Sequence, residues 1–144
     1  TCQSRMPSSA WKKKKLKKEK ANKTITTAQS TKTYKQKILK AQENGYNTTL
    51  LFFWLKNSEL AKERVKLRVQ EGGHNIPQEV IERRFQNGIN NLFNIYLPIV
   101  DQVLIFDNSE GKHELIAEKN IDEEIYIHNV EKFNELKNYH DKGN

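Results

Sequence analysis

The residues best suited to chemistry in this chain are cations grouped around one break. Residues 70–85 read QEGGHNIPQEVIERRF. Arg64 and Arg68 lie before the glycine pair, four apart in a helical pattern, so their side chains share one face. Arg83 and Arg84 follow it. A guanidinium fork matches phosphate oxygens and can bind them bidentately. Backbone N–H groups at a helix start, with the helix dipole behind them, also favour anions. Two glycines would let such a connection swing. Arginines on both sides of a hinged loop describe a lid that closes on nucleotide phosphates. A plain helical hairpin fits the same residues, its arginines pairing with Glu63, Glu71, Glu79 and Glu82. Surface pairs of that kind are common and worth little. On spacing alone the hairpin is the commoner outcome.

Other chemistries find little support. No G-x-x-x-x-G-K-[ST] loop and no G-x-S-x-G elbow occurs in the 144 residues. Cys2 is the lone cysteine, which cannot close an internal disulfide and fits a reducing, cytoplasmic compartment. His74, His113, His128 and His140 show no metal-ligand spacing, so no metal site is expected. The longest apolar run, LLFFWL at 50–55, falls far short of the roughly 20 residues of a membrane span. The basic N-terminal stretch is not followed by the apolar segment of a secretory signal.

The net charge of +7 is unevenly spread. Residues 1–23 hold nine Lys/Arg against the single acid Glu19, and residues 24–144 hold sixteen against seventeen Asp/Glu. The first stretch therefore carries +8 and the rest −1. Residues 1–30 are expected to be a basic, disordered N-terminal segment. Lysines at 12–23 could attract nucleic acid weakly and without sequence preference. Trp11 is their only aromatic neighbour, so stacking platforms for single strands are missing.

The elements that must position the arginines follow from Thr31 onward. TKTYKQKILKAQENGY reads as a helix, with Tyr34, Ile38 and Ala41 on one face and Gly45 placed for a left-handed end. LLFFWL shows no alternation, the signature of a strand buried on both faces in mid-sheet. A helix capped by Asn57 or Ser58 should run to about Gln70 and stop at Gly72-Gly73. Pro77 suits the start of the next helix, whose apolar face runs from Ile81 to Tyr96 and includes Gly88 for close approach. That helix should stop before Pro98. QVLIF at 102–106 and HELIAEK at 113–119 are strands around the turn DNSEGK, and residues 121–139 are expected to form a closing helix anchored by Ile125, Phe133 and Leu136. Alternating helices and strands predict an α/β fold with a largely parallel sheet.

From about residue 31 to 119 the chain resembles the C-terminal half of the zeta-toxin-like P-loop kinases, also described as predicted ABC-type ATPases. The resemblance lies in AQENGYNTTLLFFWLKNSELAKERVKLRVQEGGHNIPQEVIERRF, NLFNIYLPIVDQVLIFDNS and LIA. Its core is the ordered run R-V-x-x-G-G-H-x-I-P-x-x-V-I-x-R-R, followed by Y-x-P and D-N-S. It implies a partial P-loop kinase-like three-layer fold with an incomplete, largely parallel sheet and a two-helix lid over residues 31–140. It also implies binding of ATP with Mg²⁺ and phosphoryl transfer to a small acceptor. Carried over by position, Arg68, His74, Arg83 and Arg84 would face the nucleotide phosphates, and Asp107 and Asn108 the base side. The family's phosphate loop and acceptor-handling acid have no counterpart here, and Ile25 stands where an acid is usual. The chain is thus expected to be a truncated or diverged member, with no catalytic residue assigned. The central strand would then have an open edge, so a second copy or a partner chain is expected to complete the sheet. A non-enzymatic interaction module, or a nucleic-acid binder through the lysine-rich stretch, is the alternative.

Overall fold

LLFFWL, which the sequence places in mid-sheet, does have a strand on each side. The structure is a computed structural model that describes residues 23–26 and 32–143. The expectations for residues 1–22 and 27–31 fall outside it. In chain order the elements are β1 (Lys23–Thr26), α1 (Tyr34–Glu43), β2 (Thr48–Trp54), α2 (Ser58–Gln70) and α3 (Gln78–Asn91). A π-helical turn (Leu92–Tyr96) and the short α4 (Leu97–Ile99) follow, then β3 (Gln102–Asp107), β4 (Glu114–Lys119), β5 (Tyr126–Ile127) and α5 (Val130–Lys142). The strands form one sheet in the order β1-β2-β3-β4-β5. β1, β2 and β3 run parallel, and β4 and β5 are antiparallel additions.

Three expectations about this architecture change. The fold does not begin at Thr31, because Lys23–Thr26 pairs with Thr48–Leu51 of β2. β2 is therefore covered along its first half, and the open apolar edge expected there is confined to Phe52–Trp54 among the described residues. The sheet is mixed rather than largely parallel. Its described helices also lie on one face only. Leu50, Phe52 and Trp54 alternate with half-buried Leu51 and Phe53, and their register partners Val103 and Ile105 are buried on the same side. Ile38 of α1, Ile89 of α3, and Phe133 and Leu136 of α5 all pack into that one cluster. On the other face Phe53 stacks on Phe106 with ring centroids 5.3 Å apart, and no helix layer of the described residues covers them. The third layer implied by the family resemblance has no described counterpart.

Local details explain where helices end. α1 closes with Gly45 at φ +78°, its N–H on Gln42 O and the Tyr46 N–H on Ala41 O, as expected. Pro98 does not stop the next helix. The chain widens into the π turn, so that Leu97 N–H donates to Leu92 O five residues back, and helical geometry continues to Ile99. The wider turn absorbs a residue that lacks an N–H and would crowd the carbonyl four positions earlier. The closing helix starts later than expected. Residues 121–129 are a turn and β5, and α5 begins after Asn129, whose Oδ1 accepts from Lys132 N at 3.1 Å. Phe133 and Leu136 are buried anchors as expected, while Ile125 packs on the core from outside the helix.

Two aspartates bracket β3. Asp101 precedes it and its Oδ2 accepts from Thr48 N (2.7 Å), Thr48 Oγ1 (2.9 Å) and Gln42 Nε2 (3.3 Å), joining α1, β2 and β3. Asp107 ends it, only 5% exposed. Its Oδ1 accepts from Ser109 N and Oγ at 2.9 and 2.5 Å, and its Oδ2 from Lys132 Nζ of α5 at 2.7 Å. Lys132 also reaches Glu114 at 2.5 Å. Partial burial works against ionisation of both aspartates, yet their hydrogen bonds outweigh it and hold each below the usual 3.8.

Thr48 is fully buried, so Asp101→Ala leaves its N–H and hydroxyl without their shared acceptor. A loss of about 2 kcal/mol is expected, read from the urea midpoint; a change within error would mean water replaces the carboxylate. Depressed aspartate pKa values stabilise the fold at pH above the unfolded value, and this contribution disappears as pH falls through the folded value. Stability should therefore be flat near neutrality and fall below about pH 4. Asp107→Asn should lower stability at pH 7 by about 1–2 kcal/mol and flatten that acid limb, checked by melts from pH 7 down to 2.

Candidate functional site

The arginines stand on a helical hairpin made by α2 and α3. α2 starts cleanly because Asn57 Oδ1 accepts the Leu60 N–H at 3.0 Å. It ends in a glycine-dependent cap. Gly72 adopts φ +97°, its N–H donates to Val69 O, and the Gly73 N–H donates to Arg68 O at 2.8 Å. A Cβ on Gly73 would sit 2.8 Å from that same oxygen. Both glycines are therefore required by the helix end itself, which explains the pair without a swinging hinge. Pro77 forms the entry to α3, its carbonyl accepting from Val80 N and Ile81 N.

The hairpin is clamped by Lys62, whose ammonium pairs with Glu59 of its own helix at 2.7 Å and with Glu82 of α3. Those carboxylates, Glu59 first, hold the Lys62 pKa above its usual value. The expected arginine–glutamate pairs do not form. Arg68, His74, Arg83 and Arg84 are exposed and make no hydrogen bond or ion pair among the described residues. The hairpin is present, but a lysine cross-links it.

The four positions lie on one hairpin without meeting at a point. Arg68 is one turn beyond Arg64 on α2, and His74 lies in the connection at 71–77. Arg83 and Arg84 are consecutive on α3, and so point about 100° apart. Arg84 turns toward an apolar cavity of about 280 Å³ between the hairpin and the end of β2, walled by Phe52, Trp54, Val65 and Phe85 among others. Arg83 is not part of that wall.

At the end of β3, Asp107 is committed within the chain through both oxygens, as described above. Three of its roughly four acceptor positions are thus taken within the chain, leaving one lone pair on Oδ2. Asn108 is better placed: its backbone N–H donates to Trp54 O at 2.8 Å, and its side-chain amide has no partner among the described residues. Its carbonyl accepts from Arg64 Nη2, which fastens α2 to the end of the sheet. Arg64 is thus the residue that links α2 to the segment just after β3, and its place four residues before Arg68 was the available signal. Lys132 gave no such signal, because its partners Asp107 and Glu114 are 25 and 18 residues away.

Among the described residues no group of three or more His, Cys, Asp or Glu is placed to hold a metal ion, and no helix is long and apolar enough to cross a membrane. With Asp107 salt-bridged to Lys132, the carboxylates at the end of β3 do not fit Mg²⁺, which needs free oxygen ligands in octahedral geometry. What the described residues offer is cationic and donor-rich: unpaired guanidiniums and an imidazole along the hairpin, and an amide just after β3. No protein-family model, curated protein or solved structure matches the chain, so these side chains themselves carry the functional reading.

Proposed function

We propose that the chain is a diverged relative of the zeta-toxin-like kinases whose helical hairpin binds the phosphates of ATP. One observation carries this reading. Among the described residues Arg68, Arg83 and Arg84 remain unpaired on a hairpin that also holds Glu63, Glu71, Glu79 and Glu82, while Lys62 alone takes Glu82. Guanidiniums without carboxylate partners attract phosphate oxygens, to which their charge and fork geometry are matched. His74 adds a donor at the hairpin tip, and Asn108 offers an amide on the base side.

Binding is the function assigned, without a transfer step. Phosphoryl transfer rests on positioning and on charge neutralisation by a phosphate loop and Mg²⁺. The sequence carries no such loop, and the carboxylates at the end of β3 do not fit the metal. Any transfer by this domain would need those parts supplied from elsewhere.

Calorimetry with ATP checks the reading. Arg83→Ala and Arg84→Ala should each weaken binding roughly three- to tenfold, and added salt should weaken it further. Lys137→Gln, which removes an exposed cation of α5 outside the hairpin, should leave affinity nearly unchanged. Absent affinity, or affinity indifferent to both arginine changes, would refute the reading. Nucleic-acid binding through residues 12–23 is the competing reading. Removal of residues 1–23 should abolish any DNA affinity and leave ATP binding in place.

A further inference from the structure

The cavity beneath the hairpin has features that nucleotide-phosphate binding does not use. Its volume of about 280 Å³ lies at the small end of ligand sites, which run roughly from 300 to 1,000 Å³. Trp54 forms part of the wall and is only 2% exposed. Two observations say that the space is not simply imperfect packing. Gly88 lies in the interior of α3, where glycine weakens a helix relative to alanine. The sequence suggested close helix approach as its reason, but a Cβ there would meet nothing within 4 Å. Gly88 also has no positive φ. What the glycine provides is room in the cavity wall. Finally, among the described residues Arg84 contributes the only charge to the lining, and no acid accompanies it.

We propose that this cavity binds a small organic acid with an apolar body of about ten non-hydrogen atoms, its size set by the small volume. Phe52, Val65 and Phe85 enclose the body, and Arg84 pairs with the carboxylate. The ligand's carboxylate supplies the acceptor that Arg84 lacks, and the Trp54 ring forms part of the apolar wall. A carboxylate suits the site better than a phosphate monoester. One guanidinium neutralises a monoanion, whereas a dianion would keep an uncompensated charge against apolar walls. The site is independent of the proposed ATP reading, although Arg84 borders both.

The test uses octanoate on the full chain without nucleotide, followed by calorimetry and by the ¹⁵N–¹H signal of the Trp54 indole. Trp11→Phe identifies that signal, since these are the two tryptophans of the chain. Octanoate should move the Trp54 signal saturably. Arg84→Gln should weaken octanoate roughly tenfold and leave 1-octanol binding unchanged. Gly88→Leu should abolish binding of both while the protein still melts cooperatively. If leucine unfolds the chain, Gly88→Ala should still reduce octanoate affinity without loss of stability. An unmoved indole signal, an octanoate affinity indifferent to Arg84, or undiminished binding in the filled variant would each overturn the proposal. Arg83→Ala separates the two sites: it should weaken ATP and leave octanoate unaffected.

Discussion

The fold depends on the parallel pairing of β2 with β3, held in register by a carboxylate at each end of β3. Six residue pairs run from Thr49–Gln102 to Trp54–Asp107. Parallel strands cannot be joined by a tight turn, so their register must be set by something other than the connection. Here a hairpin, a π turn and α4 intervene between them. Asp101 fixes the entry by accepting from both the backbone and the hydroxyl of Thr48. Asp107 fixes the exit by holding Ser109 on one oxygen and Lys132 of α5 on the other. Ser109 in turn accepts the Lys56 N–H at 2.8 Å, returning to the residue region just after β2. The two loops at the sheet's open end are thereby tied together, and α2 inherits its starting position from them.

That inheritance decides how the arginines are presented. α2 leaves from the tied end of β2, and Arg64 reaches back to Asn108 just beyond β3. α3 is held against it by Lys62, at 15% side-chain exposure a largely shielded clamp between two carboxylates. With one cation serving both glutamates, the remaining guanidiniums are not drawn into the hairpin. A hairpin fixed in this way is a rigid presenter of charge. Its glycines complete the helix end, Gly72 through its positive φ and Gly73 through its close approach to Arg68 O.

Much of this was legible in the sequence, and the exceptions share a cause. α1, α2 and the β3–β4 hairpin carry their own boundary residues: Gly45, Asn57, Gly72-Gly73 and DNSEGK act within a few positions of themselves. Elements defined by distant partners were misread. KTIT is short, polar and preceded by lysines, and only its pairing with Thr48–Leu51 makes it a strand. The stretch before Asn129 has helix-compatible residues, but Tyr126 and Ile127 pair instead with Glu118 and Ala117. The π turn escaped notice because Ile89, Leu92 and Tyr96 keep a helical spacing on either reading, and Pro98 argued for a stop. For the site, the arginine set was visible while the role of Asp107 was not. Nothing near Asp107 in sequence announces Lys132.

The adjacency of Arg83 and Arg84 has a geometric consequence that a motif obscures. Two consecutive helical residues cannot both face one ligand atom, because about 100° separates their directions. One of the pair is drawn to the cavity that Gly88 widens, and the other is left on the hairpin's exposed side. A double arginine is therefore two recognition elements with different surroundings. Arg84, although exposed, borders apolar walls that would select for the shape of what lies below it in the proposed reading. Arg83 acts in water, where it contributes attraction at a distance and little selectivity. In the proposed reading the paired arginines would divide specificity and attraction between them, because only Arg84 borders the cavity at the end of β2.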